Sequence, residues 1–164
     1  MQGRRACRTA SRYYNYWCKG TPVKRALPIS AELVRGMAAY FVVKGRPRMG
    51  IAFLLAFLGL LRMGEVTVLR MKQIAILHDG LALITFEGLE SKGAQRKGEP
   101  ETVAIRSLTV IACLKVLKAR LAPDEHLIGG TYKDKCVALT QAASFFGVSD
   151  ERLTPHGLRR GGAT

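Results

Sequence analysis

The feature that most constrains this chain is a nearly continuous apolar segment, residues 49–61, which lies between Arg48 and Arg62. It is shorter than the roughly 20 residues that a membrane-spanning helix needs. A helix that is apolar on all sides must be covered by other elements of the fold. The sequence therefore predicts a buried central helix over about residues 48–61, with the rest of the chain packed around it.

The hydrophobic patterns on both sides of this segment predict a mixed α+β, mainly α domain. Ser30 is typical of a helix N-cap, and apolar residues follow it at helical spacing. After the central helix the period changes to that of strands, and the first two strands are joined by an Asp-Gly turn. The predicted strands cover residues 73–77, 81–86 and 102–105, and the later helices cover residues 107–121, 135–146 and the segment from Pro155. The order is helices, a small antiparallel sheet, then helices.

The charge of the chain indicates a polyanionic partner. Lys and Arg number 26 against 12 Asp and Glu, which gives a formal net charge of +14. A sequence this basic favours nucleic acid as the partner. A protein that binds an anionic membrane surface or an acidic protein is the competing class.

Residues 1–27 differ from the rest and are predicted to form an arm and linker in front of a domain over residues 28–164. Basic residues precede the first acidic one, and aromatic residues stand among them. Such a segment suits an arm that follows a phosphate backbone, and a solvated terminal tail is the alternative. The candidate DNA-binding residues of this arm are Arg4, Arg5, Arg8 and Arg12.

The cysteines and histidines give no sign of a metal site. The 4 cysteines include no C-x-x-C pair, and the 3 histidines are scattered along the chain. Structural zinc needs clustered ligands, and disulfides are typical of secreted chains. We therefore expect reduced thiols, no metal and no cofactor.

Two positions before the last helix combine residues that suit chemistry on a phosphate. Arg62 directly follows the apolar segment, so its charge has to be solvated, paired or bound to an anion, and Glu65 is placed to brace it. Lys92 and Lys97 lie in a Gly-rich loop, from which a lysine can reach a phosphate or donate a proton. Judged singly, a structural Arg62–Glu65 pair and an ordinary solvated loop are the alternatives.

The third position is the start of the last predicted helix. His156 and Arg159 are spaced so that they share one face of that helix. The dipole and the free N–H groups of a helix N-terminus favour an anion. A capped surface helix is the alternative.

The order of these motifs resembles the catalytic domain of the tyrosine recombinases, the phage-integrase-like enzymes that break and rejoin DNA. The resemblance covers about residues 28–164. It rests on Leu-Leu-Arg-Met-Gly-Glu-Val-Thr-Val-Leu at 60–69 and on His-Gly-Leu-Arg-Arg-Gly-Gly-Ala-Thr at 156–164, with strands and a lysine between them. It implies the recombinase catalytic-core fold, in which helices surround a small three-stranded antiparallel sheet.

The resemblance also implies a role for each candidate residue. In that family a tyrosine attacks a DNA phosphate and forms a phosphotyrosine link, which conserves the bond energy without a metal or a nucleotide. Arg62 and Arg159 would bind the phosphoryl oxygens, whose geometry guanidinium groups match. His156 would hydrogen-bond an oxygen or handle a proton, and Lys92 would protonate the leaving oxygen. Glu65 would hold these donors in place.

The chain departs from the family at several positions. Met71 and Gln73 stand where many relatives have Trp and Asp, and Gly157 stands where they often have Ser or Thr. The family's nucleophilic tyrosine follows the His-x-x-Arg helix, whereas the 5 tyrosines here precede it. They are Tyr13, Tyr14, Tyr16, Tyr40 and Tyr132. We therefore expect a C-terminally truncated domain without its C-terminal helices and its nucleophile, with residues 1–27 as a remnant of the family's core-binding domain.

The implied function is site-specific recombination or integration of double-stranded DNA, inside the cell, in a nucleus or a nucleoid. Lys97 is expected to bind DNA and is the alternative to Lys92 for the lysine role. An oligomer of identical chains on DNA is left open, and no membrane partner is expected. By itself the chain is expected to be inactive. The alternative is a non-catalytic basic nucleic-acid-binding module, in which Arg62 and Arg159 are replaceable surface charges.

Overall fold

A computed structural model describes residues 26–77, 80–87, 99–149 and 153–163. The helices are α1 (Ala31–Val43), α2 (Pro47–Leu58), α3 (Met63–Val68), α4 (Leu108–Arg120), α5 (Tyr132–Phe145) and α6 (Pro155–Gly162). A 3-10 turn (Met71–Gln73) leads into strands β1 (Ile74–Ile76), β2 (Ala82–Phe86) and β3 (Glu101–Ile105). Within these ranges no helix is long and apolar enough to cross a membrane.

Helices α1 and α2 form the centre of the domain, as the apolar pattern predicts. The Ser30 side chain accepts a hydrogen bond from the Leu33 N–H at 3.3 Å and caps α1. Pro47 occupies the first turn of α2, where its missing N–H costs nothing. Helix α2 contributes seven buried residues to the core: Met49, Gly50, Ile51, Ala52, Phe53, Leu55 and Ala56. The helix ends at Leu58, whereas the sequence predicts that it continues to about Leu61.

The sheet has the strand order β1-β2-β3, and both pairs are antiparallel. Ile84 in the middle strand pairs with Ile74 on one side and with Val103 on the other. Alternate residues of β2 are buried, so one face of the sheet packs on the core and the other faces outward. The helices around a small three-stranded antiparallel sheet agree with the predicted mainly α architecture.

Helix α5 begins earlier than the sequence analysis predicts, at Tyr132 and not at Lys135. The reason is a capping box one turn upstream. The Thr131 side chain accepts a hydrogen bond from the Asp134 N–H at 3.3 Å, and the Asp134 carboxylate accepts one from the Thr131 N–H at 2.6 Å. These reciprocal bonds satisfy two N–H groups of the first turn and extend the helix to Thr131.

Helix α6 packs backbone to backbone on its neighbours. A Cβ built on Gly161 would lie 1.8 Å from the Ile29 carbonyl oxygen, and one built on Gly162 would lie 2.0 Å from the Phe57 carbonyl oxygen. The Ile29 N–H also donates to the Gly157 carbonyl at 3.1 Å. Because only glycine permits this approach, α6 is fixed against the segment before α1 and against the end of α2.

Candidate functional site

Arg62 is the residue directly before α3, and Glu65 binds both its backbone N–H and its guanidinium. One carboxylate oxygen of Glu65 accepts a hydrogen bond from the Arg62 backbone N–H at 2.7 Å, and the other accepts one from the guanidinium at 2.7 Å. Glu65 is buried, whereas the Arg62 side chain is 40% exposed. A guanidinium carries five N–H donors, so most of those on Arg62 remain open to an anion at the surface.

Arg48, at the other end of the apolar segment, has a different environment. Its guanidinium donates to the carbonyls of His126 and Leu127 and forms an ion pair with Glu125 at 3.0 Å. Through these bonds the guanidinium of Arg48 links α2 to the loop before α5. Arg48 is therefore structural, whereas the guanidinium of Arg62 bonds to Glu65 and is partly exposed.

The turn that leads to Arg62 is strained. Leu60 has a φ of +50°, the one positive value among the described residues other than glycine. This conformation costs an ordinary residue about 1 kcal/mol or more, and it persists only where packing enforces it. A Cβ built on Gly162 would lie 2.9 Å from Cδ2 of Leu60, so α6 contacts this turn directly. Strain of this kind is typical of positions where a side chain is held for function.

His156 and Arg159 lie on α6, the first at its N-terminal turn. Thr154 makes no side-chain cap bond to this helix, and His156 is exposed. Arg159 is half-buried, and in the described part of the chain no hydrogen bond or ion pair engages its guanidinium. The adjacent Arg160 donates to the carbonyl of Ala26 and so fixes the segment before α1.

The packing of α6 brings two of the predicted site segments into contact. Gly162 contacts Phe57 in the last turn of α2 and Leu60 in the turn that follows it. Arg159 lies one helical turn before Gly162, and Arg62 follows Leu60 closely in the chain. The remaining predicted site residues lie outside the described ranges: Arg4, Arg5, Arg8, Arg12, Lys92 and Lys97.

Lys135 is a buried charge that the sequence analysis missed. Burial lowers the pKa of its ammonium group, while Asp134 acts in the opposite direction. The ammonium donates to the Gly129 carbonyl, and the lysine shares the core-facing side of α5 with Ala138 and Leu139. In the sequence, its helical spacing from Ala138 and Leu139 is the signal that Lys135 faces the core. Its bond to the loop gives it a structural role.

The described residues hold no cluster of three or more His, Cys, Asp or Glu side chains that could bind a metal ion. The open donors near α6 are cationic, and cationic donors bind anions. Arg62 and Arg159 thus lie on contacting segments, and Glu65 orients Arg62.

Comparison with known proteins identifies the fold. No protein-family model and no curated protein matches the sequence. The structure is similar to that of the XerH site-specific recombinase bound to palindromic difH substrate in a post-cleavage complex, with a TM-score of 0.63 and 16% identity over 84% of this chain and 41% of that one. A pre-cleavage complex of XerH with difH substrate gives a TM-score of 0.64 and 16% identity over 87% of this chain and 43% of the other.

The chain thus spans about two fifths of the XerH chains that it matches. The matched region contains helices around a three-stranded antiparallel sheet, as the resemblance to the recombinase catalytic domain predicts. The described part of this chain therefore has the fold of a tyrosine recombinase, XerH, over most of its length.

Proposed function

We propose that this chain is a DNA-binding part of a tyrosine recombinase catalytic domain, and that Arg62 and Arg159 hold a phosphate of double-stranded DNA. The observation that carries the proposal is the pair of arginines on contacting segments. Glu65 orients one of them, and no described residue neutralises the other. The XerH structures with the same fold contain difH substrate, which supports DNA as the ligand.

The chemistry follows from the charge that develops on phosphoryl oxygens during substitution. Two guanidinium groups stabilise that charge by paired hydrogen bonds. His156, which is exposed in the first turn of α6, donates a further hydrogen bond in this proposal, and a helix N-terminus favours an anion. Lys92 protonates the leaving oxygen, with Lys97 as the alternative lysine. The role of Glu65 is to position Arg62.

The wider proposal concerns the function of the whole domain. The chain acts in site-specific DNA recombination or integration inside the cell, with residues 1–27 as a basic arm along the DNA backbone and with no cofactor. Oligomers of identical chains on DNA fit this role. A basic nucleic-acid-binding module without catalytic ancestry is the second candidate, favoured by the +14 net charge alone.

The first test is binding to duplex DNA. Because Lys and Arg contacts to phosphates release counterions, affinity is expected to fall with salt with a log–log slope of about −0.9 per phosphate contacted. Fluorescence anisotropy with labelled duplexes of unrelated sequence, measured over a range of salt concentrations, gives the slope and the sequence preference. Binding that does not change with salt, or no binding at low salt, would contradict the proposal.

The second test concerns the nucleophile. We propose that this chain alone forms no covalent link to DNA, because each of its 5 tyrosines precedes His156. Incubation with supercoiled DNA, followed by a denaturing quench, is expected to give neither nicks nor protein–DNA adducts. Adducts that map to one of these tyrosines, and that Arg159→Ala abolishes, would show that the nucleophile lies within this chain.

A further inference from the structure

Leu60, in the turn between α2 and Arg62, combines a strained backbone with a side chain that is not buried in the core. Its φ of +50° lies in the left-handed region, where glycine is the usual residue because a Cβ crowds the backbone there. The residue is also 39% exposed, so burial in the core does not account for a leucine at this position. A glycine would form the same turn with less strain, so the contacts of the side chain are what distinguishes leucine here.

The side chain of Leu60 reaches α6. A Cβ built on Gly162 would lie 2.9 Å from Leu60 Cδ2 and 2.0 Å from the Phe57 carbonyl oxygen. The last turn of α2 and the turn that carries Leu60 therefore meet α6 at the same glycine. Arg159 lies three residues before Gly162 in this helix, which is about 4.5 Å along the axis at 1.5 Å per residue.

On its other side, Leu60 is followed closely by Arg62. Leu61 between them is buried, and the Arg62 backbone N–H donates to the Glu65 carboxylate at 2.7 Å. The N–H of Leu60 itself donates to the Phe57 carbonyl at 3.4 Å, which is long for a backbone hydrogen bond. Because this bond is weak, the side-chain contact with Gly162 is the interaction that can fix the turn relative to α6.

We propose that Leu60 is a positioning residue, whose side chain holds the turn before Arg62 against α6 and so sets the separation of Arg62 from Arg159. This role rests on the function proposed above, in which the two arginines bind one DNA phosphate. Hydrogen bonds weaken steeply with distance, so a displacement of about 1 Å at either arginine is enough to weaken that contact. Glycine at position 60 would remove the contact with Gly162 and give the turn more conformational freedom.

The test measures binding of labelled duplex DNA to variants of the full chain by fluorescence anisotropy. Leu60→Gly tolerates the positive φ but lacks the side chain, so its melting temperature is expected to stay within about 4 °C of the wild-type value. Its affinity for DNA is expected to fall about fivefold. Leu60→Met keeps a long apolar side chain that reaches α6, and it is expected to bind within about twofold of the wild type.

A second pair of variants controls for the loss of a leucine. Leu60→Ala removes the contact and keeps the strain, so it is expected to lose about fivefold in affinity and to melt below Leu60→Gly. Leu58→Ala removes a similarly exposed leucine two residues earlier, in the last turn of α2, and is expected to leave the affinity unchanged. Circular dichroism confirms that each variant is folded at the assay temperature.

A residue that only stabilised the fold would leave DNA binding by folded Leu60→Gly at the wild-type level. In an Arg159→Gln background, Leu60→Gly is expected to cause little further loss, because the contact that it positions is already absent. Wild-type affinity of Leu60→Gly, or an equal loss with and without Arg159, would overturn the positioning role alone when Arg159→Gln itself weakens binding. If Arg159→Gln has no effect on binding, the phosphate site and the role of Leu60 are both wrong.

Discussion

Replacement of Gly161 by alanine is expected to destabilise the domain by about 3 kcal/mol or more, because the new Cβ overlaps backbone and not a movable side chain. It would lie 1.8 Å from the Ile29 carbonyl oxygen and within 3 Å of two further Ile29 backbone atoms. Relief requires α6 to separate from the segment before α1, which breaks the Ile29–Gly157 hydrogen bond. For a domain of this size the melting temperature should fall by about 10 °C.

Thermal unfolding followed by circular dichroism measures this effect, and Gly64→Ala is the matched control. Gly64 lies exposed in α3, and a Cβ built there meets nothing within 4 Å. Alanine should leave the stability at this position unchanged or raise it by up to about 1 kcal/mol through its higher helix propensity. Similar melting temperatures for the two variants would show that α6 does not pack as closely as described.

This dependence on glycine illustrates what a single sequence can and cannot predict. The central helix and the three strands follow from local apolar periodicity, which reports burial directly, so their positions are close to those observed. The start of α5 is also local, since Thr131 and Asp134 have the spacing of a capping box, and the prediction of a start at Lys135 overlooked it. For these elements, residues that are close in the sequence are sufficient to predict where the element lies.

Other features depend on contacts between distant parts of the chain. The glycines of α6 are visible in the sequence, but nothing local shows that Ile29 and Phe57 approach them. The positive φ of Leu60 likewise results from the packing around the turn, because leucine has no preference for that conformation. Arg48 and Arg62 both flank the same apolar segment, and only their partners in the folded state separate the structural one from the open one.

Arg159 and Arg160 in α6 also differ in that one is open and the other is structural. This difference provides the sharpest test of the proposed phosphate site. Arg159→Gln should weaken duplex DNA binding about tenfold or more, because a hydrogen bond to a charged group contributes about 1.5–3 kcal/mol. The log–log salt slope should become shallower by about 0.9, the value of one phosphate contact. The melting temperature should not change, since no described partner depends on this guanidinium.

Arg160→Gln should show the reverse pattern. Arg160 donates to the Ala26 carbonyl, so its loss should lower the melting temperature while the salt slope stays within error of the wild-type value. Lys115→Gln, on the exposed side of α4, controls for the loss of one surface charge. If Lys115→Gln changes the affinity and slope as much as Arg159→Gln does, the chain binds DNA through diffuse charge. The basic-module function would then replace the recombinase site, because a phosphate held by Arg62 and Arg159 depends more on Arg159 than on a surface lysine of α4.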